Sequence, residues 1–379
     1  MFESGWSDST KAVSMGRNQQ IIKSVSPPLI FASTYLKDES SVYGRHDNST
    51  WRAFEEVIGE LEGGYAVSFS SGQAATSAVL SLLDSASRLF LVNDSYNGTR
   101  LLVDSLQSRG VLRLELLSPE VSSDPMLLPE AASGTSDRAE HKNMCWLETP
   151  SNPMLRIYPL DKWVSFKEAT GAMLVVDNTF ASPVLQNPLK TGADVVVHSA
   201  TKVISGHSDV IMGVVVAKDE QLAGELREIR TLAGSIPGPM EVFLALRGVR
   251  TLFLRFERQQ ENAVRLANLL EGRLGADKVF YPGLPSNSGF QLAKSQMRGS
   301  GYLISFDFGD LALAERFCDA LKLMTYATSL GGVETLVERR SRHRGEDATP
   351  PGLVRISVGI EAIGDLLSDL DQALVAVDR

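Results

Sequence analysis

The sequence predicts an α/β protein, with a mainly parallel sheet domain followed by a smaller α+β C-terminal domain. Three observations predict it. From Trp51 onward, short apolar runs alternate with helically spaced ones, the pattern of a parallel sheet covered on both faces. After Tyr281-Pro282-Gly283 that alternation gives way to a smaller, differently ordered set of strands and helices. The 379 residues suffice for about two domains, and a chain of that size buries about three-quarters of its unfolded surface without a disulfide or metal staple.

The elements follow in chain order. Residues 1–50 carry no long period of either kind and contain Pro27-Pro28, so an extended arm is expected. Trp51, Phe54, Ile58 and Leu61 share one helical face, stopped by Gly63-Gly64. A strand at Tyr65–Phe69, a turn at Ser70-Ser71-Gly72-Gln73 and a helix to about Leu83 come next. Further strands are expected at Leu89–Asn93, Val111–Leu116, Met144–Glu148, Met173–Asp177 and Asp194–His198. Residues 119–142, rich in Ser, Ala, Asp and Pro, read as a surface excursion inside this domain, which spans 51–240. Glu241 to Arg273 has the spacing of one long helix bridging to the second domain, 241–379. There Tyr302–Phe308 and Val354–Val358 read as strands, and Ala312–Leu323 and Ile363–Val377 as helices.

Composition excludes several functions. With 37 Lys+Arg against 46 Asp+Glu the net charge is −9, and the pI near 5.2 argues against a nucleic-acid or anionic-membrane footprint. Cys145 and Cys318 have no CxxC spacing and read as reduced buried thiols, with no metal site. Met1 to Gly16 lacks an apolar signal core, and the longest apolar stretches, such as Val210–Ala217, fall far short of a membrane helix. A soluble cytoplasmic protein is expected.

Three places carry chemistry. The turn Ser70-Ser71-Gly72-Gln73-Ala74, between strand and helix, lets backbone N–H groups approach an anion such as phosphate, although a ligand-free turn would look the same. Asp177 ends a buried strand at the sheet edge where ligands bind, or caps a helix there. Lys202, in Ser199-Ala200-Thr201-Lys202, follows a buried strand between hydroxyls; its amine suits a Schiff base, and Ser199 and Thr201 suit a phosphate. Together they match what pyridoxal phosphate (PLP) needs: an amine for its aldehyde, a carboxylate for its ring nitrogen and a phosphate cradle.

At these residues the chain resembles the Cys/Met-metabolism PLP enzymes: cystathionine γ-lyase, γ-synthase and β-lyase, and methionine γ-lyase. The resemblance spans nearly the whole chain. It is carried by Tyr43-Gly44-Arg45, Leu61-Glu62-Gly63-Gly64, Ser71-Gly72-Gln73-Ala74, Glu148-Thr149-Pro150-Ser151-Asn152-Pro153, Asp177-Asn178-Thr179, Ser199–Lys202 with Gly206-His207-Ser208-Asp209, Ser329-Leu330-Gly331-Gly332 with Glu334, and Arg355–Glu361. It implies the aspartate-aminotransferase-like fold type I of PLP-dependent transferases. It further implies Lys202 as Schiff-base lysine and proton carrier, Asp177 on the pyridine nitrogen and Tyr96 stacked on the ring. Ser71, Gly72, Gln73, Ser199 and Thr201 would hold the phosphate, with Tyr43 and Arg45 reaching the neighbouring subunit's phosphate site. Arg355 would bind the substrate α-carboxylate, supported by Asn152 and the Ser329 main chain. A homotetramer, a dimer of dimers with the active site shared across each dimer, is implied.

Departures shape the substrate expectation. Val203 and Ile204 follow the lysine where the family often has Tyr. Glu338-Arg339-Arg340-Ser341-Arg342-His343-Arg344 replaces a His-Pro…Met-Thr-His stretch. That basic run reads as a solvated loop, or else as a rim that steers anionic substrates. Glu334 matches a glutamate that lies near the distal amino group in cystathionine-handling members, and Leu330 stands where bacterial β-lyases tend to carry Trp. Both lean toward γ-elimination of L-cystathionine. γ-Replacement on an O-acylhomoserine, a methionine γ-lyase and a specialised C–S lyase are the alternatives. A non-catalytic scaffold is disfavoured because lysine, aspartate, tyrosine and arginine are all present. An NAD-binding protein is disfavoured because no G-x-G-x-x-G turn precedes an acid.

Overall fold

The computed structural model describes residues 5–17, 24–37, 41–129, 142–343 and 349–377. Its first helix, α1 (Asp8–Ser14), is short, and Ser7 caps it by accepting from Thr10 N. Ala12 and Met15 are buried beside Trp51, Phe54 and Val57, so the expected arm is not extended throughout. Seven residues are too few for a period to show in the sequence. The Trp51 helix, α2 (Ser49–Glu62), starts where Asn48 accepts from Thr50 N at 2.8 Å and ends at left-handed Gly63.

Seven strands form the large sheet: β1 (Tyr65–Phe69), β2 (Arg88–Val92), β3 (Arg113–Leu117), β4 (Met144–Glu148), β5 (Met173–Asp177), β6 (Val195–Ser199) and β7 (Gly213–Ala217). Their order is β1-β7-β6-β5-β4-β2-β3. All pairs are parallel except those of β7, which runs antiparallel to both β1 and β6. The second part of the apolar run at 210–217 is thus an interior strand, β7, that the alternation argument did not place. Helices α3 (Gly72–Leu80) and α4 (Asn97–Ser108) follow β1 and β2. Of the polar excursion, residues 130–141 lie outside the described part; Pro119–Ser123 forms one short helical turn.

The smaller sheet contains β8 (Val279–Phe280), β9 (Leu303–Asp307), β10 (Thr325–Tyr326), β11 (Leu336–Arg339) and β12 (Leu353–Ser357), ordered β10-β11-β12-β9-β8. It packs Phe306 and Ile356 against Leu266, Leu270, Phe317 and Leu370 from the helices Leu252–Leu274, Leu311–Ala320 and Ile363–Val377.

The single helix expected over 241–273 is two, Pro239–Val249 and Leu252–Leu274. The Gly248 carbonyl accepts from the buried Arg255 Nη2 at 2.9 Å. Arg255 also donates to Val203 O at 3.0 Å and Ile204 O at 3.3 Å, just past Lys202. Val249 belongs to the large-domain core and Leu252 to the cluster at the junction. The chain therefore turns at Arg250-Thr251 because its two sides pack in different cores.

Candidate active site

The turn after β1 is held close by small residues. Ser71 caps α3, accepting from Ala74 N at 3.0 Å, which leaves the remaining first-turn N–H groups pointing outward. A Cβ on Gly72 would lie 2.8 Å from Ser199 Oγ, so only glycine lets the helix end approach the end of β6 so closely. Thr201 N donates to Met212 O at 3.0 Å, and Met212 N to Thr201 Oγ1 at 2.9 Å, fixing the chain past β6. Gln73 Nε2 donates to Gly98 O at 2.9 Å and ties α3 to α4.

These groups open onto a cavity of 340 Å³ whose wall also includes Tyr96, Asn152, Asp177, Lys202, Ser329 and Arg355. Asp177 ends β5 and accepts from Thr179 N at 3.0 Å. Burial pushes its carboxyl above the usual range, while Thr179 and then His198 hold it down. Among the described residues no lysine or arginine forms an ion pair with it. Lys202 Nζ donates to Ser329 Oγ at 3.1 Å. Burial lowers its pKa to about 8, helped by the Arg355 and Arg340 charges and opposed by Glu338. The amine is therefore far closer to its neutral, nucleophilic form than an exposed lysine.

Tyr96 precedes α4, its N–H donating to Glu148 Oε2 at 2.5 Å while its ring stays half-exposed. A Cβ on Gly98 would lie 2.5 Å from that ring. Arg355, on β12, donates Nη1 to Asn152 Oδ1 at 2.7 Å and Nη2 to Ser329 O at 2.8 Å. Asn152 and the Ser329 main chain thus grip the arginine itself. Ser329 has φ 106°, a strained value for a residue with a side chain, of the sort that collects at functional sites.

Three expected site residues stand off this wall. Arg45 Nη1 donates to Thr231 O at 2.9 Å and its guanidinium lies 5.6 Å from the Tyr43 ring centre, with Tyr43 exposed. Glu334 bonds the Ser208 hydroxyl instead of facing the cavity. The expected solvated loop at 338–344 is also corrected. Glu338 lies on β11, paired in register with Arg355, and is 1% exposed. Arg340 is 4% exposed, and Arg340 and His343 line the cavity; Arg344 lies outside the described residues. The sequence signal for β11 was only the apolar pair Leu336-Val337, drowned by the five charges that follow it. Glu148, which holds Tyr96 and lines the cavity, was quoted in a motif but given no role.

The model of the family described as Cys/Met metabolism PLP-dependent enzyme matches residues 9–375. The chain belongs to this family. It is 37% identical to cystathionine gamma-lyase of Dictyostelium discoideum, covering 92% of each chain. It is 38% identical to cystathionine beta-lyase of Lactococcus lactis, covering 92% of this chain and 94% of the other. The solved cystathionine gamma synthase of Xanthomonas oryzae pv. oryzae superposes with a TM-score of 0.92 at 36% identity over 99% of both chains. The fold is accordingly that of fold type I, and the cofactor of this Cys/Met-metabolism enzyme is PLP. The site fits it. Gly72 lets the first turn of α3 and Ser199 lie together on the cavity wall, where a phosphate would meet both. Asp177 is a buried carboxylate suited to a ring N–H⁺, and Lys202 offers an amine that gives up its proton more readily than an exposed lysine.

Proposed function

We propose that the chain is a PLP-dependent C–S lyase that cleaves L-cystathionine, with one water, by γ-elimination to cysteine, 2-oxobutyrate and ammonia. The observation that carries this reading is Lys202. Its amine, its pKa lowered to about 8 by burial, faces one cavity shared with Asp177, Tyr96 and Arg355. Bound PLP supplies an electron sink for the negative charge that develops on the substrate carbons. Arg355 binds the α-carboxylate, and Lys202 takes the Cα proton and then one from Cβ. Tyr96 donates a proton to the departing sulfur, and Asp177 keeps the proton on the ring nitrogen. Ser71, Gly72, Gln73, Ser199 and Thr201 hold the phosphate.

Leu330 on the cavity wall, where bacterial β-lyases tend to carry Trp, supports γ- over β-elimination; with Glu334 turned to Ser208, that residue lends no support. A second reading, γ-replacement on an O-acylhomoserine, is favoured by the 0.92 superposition on a cystathionine gamma synthase and uses the same residues. Tyr43 and Arg45, off their own subunit's cavity, support a dimer in which they reach the neighbour's phosphate site; the family resemblance extends this to a homotetramer of two such dimers in a cytoplasmic enzyme. The test is to give PLP-loaded protein L-cystathionine alone and identify the keto acid. 2-Oxobutyrate is expected; pyruvate would mean β-elimination. No keto acid, with cystathionine formed from O-acylhomoserine and cysteine, would make it a synthase.

A further inference from the structure

Arg355 does not face the substrate alone. Oε1 of the buried Glu338 accepts from Arg355 Nη2 and, at 2.9 Å, from Arg340 Nη1, while Oε2 bonds His343 Nε2 at 2.8 Å. Two guanidiniums thus meet on one carboxylate oxygen, and both line the cavity. Arg355 has five N–H donors, of which three go to Asn152, Ser329 and Glu338. At most two remain for a carboxylate that has about four lone-pair sites to satisfy.

We propose that Arg340 and Arg355, yoked by Glu338, form a two-guanidinium receptor for the α-carboxylate of the substrate amino acid, with Glu338 as its positioning residue. Without Glu338, two buried like charges would repel each other; with it, they are held side by side and oriented before any substrate arrives. The same cluster acts on the catalytic amine: Arg355 and Arg340 hold the Lys202 pKa down and Glu338 holds it up. Tyr96, Glu148, Asp177 and His343 complete the ionisable groups on the cavity wall. Arg340 falls in the Glu338–Arg344 stretch, which stands in place of a His-Pro…Met-Thr-His sequence.

This deepens the proposed function and rests on its bound PLP and amino-acid substrate, but not on which bond is broken. The experiment therefore uses two ligands that lack sulfur and a γ leaving group: L-norleucine, and pentylamine, which is the same skeleton without the carboxylate. Their binding to PLP-loaded protein is read from the visible absorption of the cofactor. Arg340→Met is expected to weaken norleucine binding about 10- to 100-fold more than pentylamine binding, the worth of a hydrogen bond to a charged group. The midpoint pH of the cofactor absorption should rise in Arg340→Met and fall in Glu338→Gln, following the loss of a positive and a negative neighbour. Equal weakening of both ligands, or of neither, overturns the receptor. If Arg340→Met does not fold, Arg340→Gln, which keeps a donor for Glu338, decides by the same pair. If neither ligand perturbs the wild-type protein, the amino-acid reading of the cavity fails along with it.

Discussion

At the residue scale the site is governed by what burial does to single ionisable groups. A lysine in water keeps its proton past neutrality, whereas Lys202 is brought to about 8. Capture of PLP by the cofactor-free protein needs the neutral amine, so its rate should climb as pH rises and level off above about 8. A capture rate still climbing at pH 10 would mean an unperturbed lysine. Lys202→Ala should lose about a thousandfold or more in turnover and trap no cofactor on borohydride treatment. Residual activity near wild type would place the base elsewhere. Asp177 shows the opposite shift from the same cause. If Asp177 keeps the ring nitrogen protonated as proposed, Asp177→Asn should lower turnover about 100-fold or more in a protein that still binds PLP, both read on one preparation.

At the scale of elements, the phosphate turn depends on an approach that tolerates no side chain. Gly72→Ala puts a Cβ 2.8 Å from Ser199 Oγ, so PLP affinity should drop at least tenfold while the circular dichroism of the fold stays native. An unchanged affinity would show that α3 does not hold the phosphate. Most elements were legible because their signals were local: alternation and helical faces marked β4, β5 and the helix Ile363–Val377, with β4 and β5 matching to the residue. The others were set by distant partners. β7 sits between β1 and β6 in antiparallel sense, which no local pattern announces. The break at Arg250-Thr251 exists because Val249 and Leu252 pack in different cores, with Arg255 taking the Gly248 carbonyl. β11 reads as a charged loop until Arg355 on the next strand supplies a partner for Glu338. The same logic hid the receptor: the motifs gave Lys202, Asp177 and Arg355, but Arg340 acquires meaning only through a carboxylate it shares with Arg355.

At the scale of the whole molecule, the cavity draws its wall from the sides of both sheets. Asn152, Asp177 and Lys202 come from the large sheet side, while Ser329, Arg340 and Arg355 come from the small one. Tyr43 and Arg45 belong to neither wall in their own subunit. If they serve a neighbour, mixing inactive Lys202→Ala with impaired Arg45→Ala should regenerate activity, since a hybrid dimer contains one intact site. No gain on mixing, under conditions where subunits exchange, would confine each site to a single chain.

The grip of Arg255 on the chain just past Lys202 has a mechanical side. Arg255 stands on the first helical turn of Leu252–Leu274, the girder on which the small domain is mounted, and its guanidinium grasps the Val203 and Ile204 carbonyls. The helix that packs against the small sheet is thereby hydrogen-bonded to the chain just past Lys202. If Arg355 holds the substrate and Lys202 is the base, as proposed, a tilt of that helix would be felt at Lys202, and seizing the carboxylate and aiming the base would be a single stroke.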